Sequence, residues 1–87
     1  MPVVIMYSSG GCPYCIRARM LLERKGVAFE DIRIDLQPAL RSEMELKSGR
    51  TSVPQIFING RHVGGYDDLY LLELSGELDE WLAQEDV

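Results

Sequence analysis

The sequence predicts an α/β fold: a four-stranded mixed sheet flanked by helices, in the order β-α-β-α-β-β-α. Three observations predict it. A compact apolar run, Val3–Tyr7, precedes a segment with helical spacing and then an alternating run, and together these read as a βαβ unit. Asn59-Gly60 stands between two short strand candidates, the strongest local signal for a two-residue hairpin. Helical segments fill the rest, and 87 residues leave room for one domain, 1–87.

Each element has its own reason. Val3–Tyr7 (Val-Val-Ile-Met-Tyr) has the length and composition of a buried central strand. Ser8–Gly11 breaks the pattern and leads into Cys12–Lys25, where Ala18, Leu21, Leu22 and Lys25 recur at helical spacing. Pro13 suits the first helical turn, where its missing N–H is not needed, and Gly26 suits the terminating position. Phe29–Asp35 alternates as a second strand, set parallel to the first by a right-handed crossover. Pro38 and Gly49 bracket a second helix carrying Leu40, Met44 and Leu46. Pro54–Ile58 and Arg61–Gly64 are the hairpin strands. Asp67 is placed to cap a third helix with Leu69, Leu72 and Leu71 on its apolar face. Gly76 interrupts it, and Leu78, Trp81 and Leu82 carry a short final helix. The Glu85-Asp86-Val87 end is expected to fray.

Composition narrows the function classes. Apolar residues make up 46% of the chain, enough for a core without covalent staples. With 9 basic against 14 acidic residues the net charge is −5, the wrong sign for a nucleic-acid binder. The apolar runs are too short to span a bilayer, and Met1–Tyr7 lacks the charged start and cleavage-like site of a signal peptide. No membrane association is expected, and a cytoplasmic protein with reduced thiols is the simplest reading. The two cysteines share one tetrapeptide, so a bond between them would close a tiny loop and add little stability. A pair placed this way suits chemistry better than stapling.

The pair is Cys12-Pro-Tyr-Cys15, at the point where the first strand hands over to the first helix. Ligand sites favour that carboxyl edge in open α/β sheets. The first-turn N–H groups of a helix are unpaired and the helix dipole is positive there, so both favour a thiolate at Cys12. Contacts from the N–H groups of Tyr14 and Cys15 would add to this. Cys15, one turn further in, should be less exposed; geometry makes Cys12 the attacking thiol and Cys15 the resolving one. A zinc site wants four ligands, and two cysteines with the lone His62 do not supply them, so no metal is expected. His62 reads as a solvent-exposed strand residue.

Two further segments bear on the same edge. Thr51-Ser-Val-Pro54 immediately precedes a strand, where proline is tolerated. An X-Pro bond in a tight turn can be cis, and Val53–Pro54 is expected to be so, with the Val53 N–H and C=O facing the cysteines. A substrate peptide could add there as a short strand. Gly64-Gly-Tyr-Asp-Asp68 leads into a helix; it reads either as a backbone cradle for a carboxylate or as an ordinary turn with an aspartate cap.

In this order and spacing the three segments resemble the glutaredoxin family, in its small bacterial dithiol form. The resemblance covers nearly the whole chain, including Arg-Thr-Ser-Val-Pro-Gln-Ile-Phe-Ile at 50–58 and Gly-Gly-Tyr-Asp-Asp-Leu at 64–69. It implies a thioredoxin-like fold and glutathione-dependent reduction of protein disulfides and glutathione mixed disulfides, with glutathione as co-substrate. By that likeness Cys12 carries the glutathionyl group and Cys15 resolves. Tyr14 flanks the glutathione, and Val53, before Pro54, pairs its backbone with the cysteinyl part. Gly65, Tyr66 and Asp67 hold the γ-glutamyl end, Asp67 facing its ammonium group. Arg41 and Gln55 are candidates for the glycyl carboxylate, although Arg41 reads equally well as a solvated helix residue. The implied partners are disulfide or glutathionylated client proteins and, through the glutathione pool, glutathione reductase; a monomer is expected.

One departure stands out. Many family members carry a lysine three residues before the nucleophile, where this chain has Ser9; another is Tyr66, where some relatives have an extra cysteine. Two other readings stay open. One is a carrier of a [2Fe–2S] cluster, which Pro13 disfavours; the other is a thioredoxin-like donor reduced by a flavoprotein.

Overall fold

The computed structural model describes residues 2–84, so Glu85–Val87, the segment expected to fray, lie outside it. The elements are β1 (Val4–Ser8), α1 (Pro13–Arg24), β2 (Glu30–Arg33), α2 (Pro38–Ser48), β3 (Gln55–Ile58), β4 (Arg61–Gly64), α3 (Tyr66–Ser75) and α4 (Glu77–Ala83). They form one four-stranded sheet in the order β2-β1-β3-β4. β1 pairs with β2 in parallel, Ile5 opposite Glu30 and Ser8 opposite Arg33. It pairs with β3 antiparallel, Val4 opposite Ile58 and Tyr7 opposite Gln55, and β3 pairs antiparallel with β4. The mixed sheet is the one the sequence predicts.

The period-2 alternation of the strands sends side chains to two cores. Val4, Met6, Ile56 and Ile58 meet Ala18, Leu21, Leu22, Leu69 and Leu78 from α1, α3 and α4 on one face. Tyr7, Ile34, Phe57 and Met44 form a smaller cluster with α2 on the other. Asn59 and Gly60 both take positive φ, 51° and 81°, as a two-residue hairpin turn of this kind requires. Asn59 also ties the sheet's end together: its side chain accepts from the Val3 N–H at 2.8 Å and donates to the Gln84 carbonyl at 3.1 Å.

The differences from expectation have local causes. β2 is shorter than Phe29–Asp35, because Phe29 turns into the first core and Asp35 turns toward Gly10; the Ile34 N–H still bonds to the Ser8 carbonyl at 2.9 Å. Leu46 is 87% exposed and Leu71 62% exposed. Each stands two positions beyond a buried residue, Met44 and Leu69, and two positions is about 200° around a helix. Asp67 does not cap α3. The N-cap is Gly65, whose N–H donates to the Asp68 carboxylate at 3.0 Å, since a glycine cap has no side chain and the residue at the third helical position closes the turn instead. His62 is partly buried rather than solvent-exposed, its ring 4.9 Å from that of Phe57.

Candidate active site at the β1–α1 junction

Cys12 is the N-cap of α1, extended at φ −95° and ψ 110°, with Pro13 in the first turn behind it. Its sulfur accepts the Cys15 N–H at 3.2 Å, one of the orphan donors of the helix start. That single contact is the one found; the Tyr14 N–H is not among the sulfur's partners in the described residues. Both thiols are free, Cys12 half-buried and Cys15 fully buried. Burial, with the hydrogen bond to Cys12 second, pushes the Cys15 thiol up to about 12. The two sulfurs are therefore chemically unequal: one meets solvent at a helix N-terminus and the other is a neutral thiol in the core.

The loop carrying Cys12 is anchored from the end of β2 and the turn that follows it. The Gly10 N–H donates to Asp35 at 3.1 Å, and Asp35 is clamped by Arg33 at 2.8 and 2.7 Å. Arg33 holds the Asp35 carboxyl far below the usual carboxylate range. Behind the loop, the buried Ser8 hydroxyl donates to Asp31, which Arg19 grips through two nitrogens at 3.0 and 2.8 Å.

Across from Cys12 lies the turn before β3. The Val53–Pro54 bond is cis, as expected, and the Cys12 thiol donates to the Val53 carbonyl at 3.8 Å. From there a groove of about 260 Å³ runs between the turn and the start of α3, lined by Tyr14, Arg50, Ser52, Val53, Pro54, Gly65, Tyr66, Asp67 and Asp68. Arg50 bonds to Asp68 at 3.0 Å on one side of it, and this contact, with the Gly65 N–H, keeps the Asp68 carboxyl below its ordinary range. A larger cavity, about 300 Å³, lies on the α2 side of the sheet between Ile5, Tyr7, Lys47 and Phe57. Among the described residues no group of three or more His, Cys, Asp and Glu side chains is placed to hold a metal ion, and no helix is long and apolar enough to cross a membrane.

The family model described as glutaredoxin matches residues 4–63. The chain belongs to the glutaredoxin family. It is 54% identical over 83 residues to a glutaredoxin of Pseudomonas aeruginosa, covering 95% of this chain and 99% of the relative. It is 52% identical over 82 residues to glutaredoxin 3 of Escherichia coli, covering 94% and 99%. Its structure resembles that of a buckwheat glutaredoxin–glutathione complex with a TM-score of 0.86 at 27% identity, covering 93% of this chain and 76% of that one. The fold is thus thioredoxin-like, and the protein is a thiol–disulfide oxidoreductase in a family for which glutathione dependence is the norm.

In this glutaredoxin the groove gathers Tyr14, Val53, Pro54, Gly65, Tyr66 and Asp67 from three separate segments, and Cys12 adjoins it through its contact with the Val53 carbonyl. Arg41 and Gln55 are not among its walls. Gln55 is fully buried and its amide is committed, donating to the Ser52 carbonyl at 3.0 Å and accepting from His62 at 2.7 Å. Arg41 reaches from α2 to the Thr51 carbonyl at 3.0 Å, buttressing the turn from outside. The arginine that does line the groove is Arg50, which the sequence places in the 50–58 run without marking a role for it, as with Ser52 and Asp68 in their segments. A signal existed: Arg50 opens the same run that ends in Val53-Pro54, so a cation three residues before Val53 was adjacent to the turn from the outset.

Proposed function

We propose that this glutaredoxin, acting as a single domain over 1–87, reduces glutathione mixed disulfides and protein disulfides with glutathione as co-substrate. The observation that carries the proposal is the inequality of the two thiols beside one ligand-sized groove. Only the reachable sulfur, Cys12, can meet a substrate disulfide; only the buried one, Cys15, is held within the same turn to displace it.

On a glutathionylated client the Cys12 thiolate attacks the glutathione sulfur. The Cys12–glutathione bond forms as the client–glutathione bond breaks, and the electron pair leaves with the client thiolate, which takes up a proton. A second glutathione thiolate then attacks the glutathione sulfur on Cys12, giving oxidised glutathione and returning the Cys12 thiolate. On a client disulfide, Cys12 forms the mixed disulfide and Cys15, losing its proton, displaces the client thiol to leave the Cys12–Cys15 bond. Two glutathiones reduce that bond in turn. Each step is thiolate–disulfide exchange, so the rate follows the accessibility and ionisation of the attacking sulfur. Glutathione reductase and NADPH renew the pool, which fits a cytoplasmic, monomeric enzyme.

The groove's chemistry suits glutathione. Val53 offers backbone groups to the cysteinyl amide, in the manner of an added strand. Tyr14 flanks the tripeptide, and the N–H groups of Tyr66 and Asp67 at the start of α3 receive the γ-glutamyl carboxylate, with Gly65 allowing close approach while its own N–H is held by Asp68. Asp67 is the carboxylate for its ammonium group, because Asp68 is already occupied by Arg50 and the Gly65 N–H. Arg50, which lines the groove where Arg41 and Gln55 do not, stands against Asp68 at this γ-glutamyl end and is the cation for the carboxylate there, its pair with Asp68 using one of its guanidinium nitrogens. The test is steady-state turnover of a glutathionylated peptide with glutathione, glutathione reductase and NADPH. Saturable NADPH oxidation is expected. Turnover that requires a flavoprotein reductase and ignores glutathione, or a purified protein whose colour reports an iron–sulfur cluster and which lacks this activity, would contradict the proposal.

A further inference from the structure

Tyr66 belongs to two depressions at once. One is the groove beside Cys12; the other is a smaller hollow of about 140 Å³ between α1 and α3, lined by Arg17, Met20, Leu21, Arg24 and Tyr66. Tyr14, Tyr66 and Tyr70 run across the join, with ring centroids 6.4 and 5.9 Å apart, and Arg17 lies over the Tyr14 ring at 5.3 Å. Met20, Tyr14 and Tyr70 are exposed. Exposed aromatic, methionine and arginine side chains in one patch are what protein interfaces are enriched in.

Charge singles out the same surface. Arg19, Lys25, Arg33, Arg41, Lys47 and Arg50 each pair with a carboxylate. Among the described residues Arg17, Arg24 and Arg61 have no such partner, and Arg61 covers the Trp81 ring at 3.7 Å. Arg17 and Arg24 line the one hollow, on a molecule whose net charge is −5. A solvated helix face would account for either arginine alone. It does not account for both lacking a carboxylate partner among the described residues while flanking the exposed Met20 at the edge of the reacting groove.

We propose that this α1–α3 face docks the polypeptide of a protein client beside the cysteine that bonds to Cys12, and that it selects clients with acidic residues there. The inference rests on the reading that Cys12 forms mixed disulfides with proteins, and it names which proteins. Arg17 and Arg24 stand about 8 and 18 Å beyond Cys12 along the helix at 1.5 Å per residue. An extended client chain covers those distances in about two to three and five to six residues. Aspartate or glutamate at those offsets meets the two arginines, and an apolar residue between them covers Met20 and Tyr66.

Two synthetic peptides with the same internal disulfide, carrying aspartate or lysine at those offsets, test this. Wild type should reduce the acidic peptide with a kcat/KM about tenfold higher, a preference that shrinks as salt rises. The double variant Arg17→Glu, Arg24→Glu should invert the preference, while turnover of a small glutathione mixed disulfide stays within about twofold. Equal kcat/KM for the two peptides in wild type, or an equal loss for both in the variant, would overturn the proposal. So would a wild-type dimer that the double variant dissolves, since a second copy would then occupy the face. If the small mixed disulfide is not turned over at all, yet the charge preference persists with dithiothreitol as reductant, docking stands and the glutathione reading fails.

Discussion

Cys12 and Cys15 share one helical turn, yet only Cys12 meets solvent. The buried thiol is pushed up to about 12, so at neutral pH it is protonated and inert toward outside reagents. Iodoacetamide at pH 8 should therefore label the folded, reduced protein once, at Cys12, with Cys15 labelled only on unfolding; peptide mapping by mass spectrometry checks this, and equal labelling of both would contradict the burial. The groove separates its arginines in the same way. Arg50→Gln should raise the KM for a glutathionylated substrate about threefold to tenfold, the effect of losing one or two partly exposed charge contacts. Arg41→Gln should change KM less than twofold, because Arg41 holds the Thr51 carbonyl from outside the groove. Steady-state kinetics of both variants decide which arginine meets the substrate. Sequence could see that a cation was needed but not which one, since the choice depends on how the chain turns back after Gly49, whose φ is 71°.

Strands, helices and the hairpin were legible because their signals are local: apolar periodicity, Pro13 and Pro38 in first turns, and Asn59-Gly60 in the turn. The start of α3 was less so. Two adjacent aspartates compete there, and the one that caps is fixed by where Gly65 leaves its N–H, a matter of one residue in register. Asp68 ionises more readily in the folded chain than in the unfolded one, held by Arg50 and the Gly65 N–H. Its contribution to stability is complete above about pH 4, the ordinary aspartate value, and is lost as pH falls through the lower folded value. Thermal unfolding of wild type and Asp68→Asn between pH 5 and pH 3 should show a shallower decline in the variant. Parallel declines would remove Asp68 from the account. Leu46 and Leu71 mark the other limit of local reading, since a leucine count does not say which side of a helix faces the sheet.

At the scale of the whole molecule the sheet order β2-β1-β3-β4 brings residues 12–14, 50–54 and 65–68 to one edge. None of these segments is a site alone. Periodicity gave the helices and strands that flank them, but their convergence was foreseen through resemblance to a family, not through spacing. Arg50 and Asp68, which bond on one side of the groove, could be paired only once the fold had brought them together. The same convergence leaves one thiol outside and one inside, and it is this arrangement that separates the one-thiol reaction from the two-thiol reaction. Turnover of a glutathione mixed disulfide, coupled to glutathione reductase and NADPH, should vanish in Cys12→Ser and persist in Cys15→Ser. Activity that survives in Cys12→Ser, or that is lost with Cys15→Ser alone, would contradict the roles assigned to the two sulfurs.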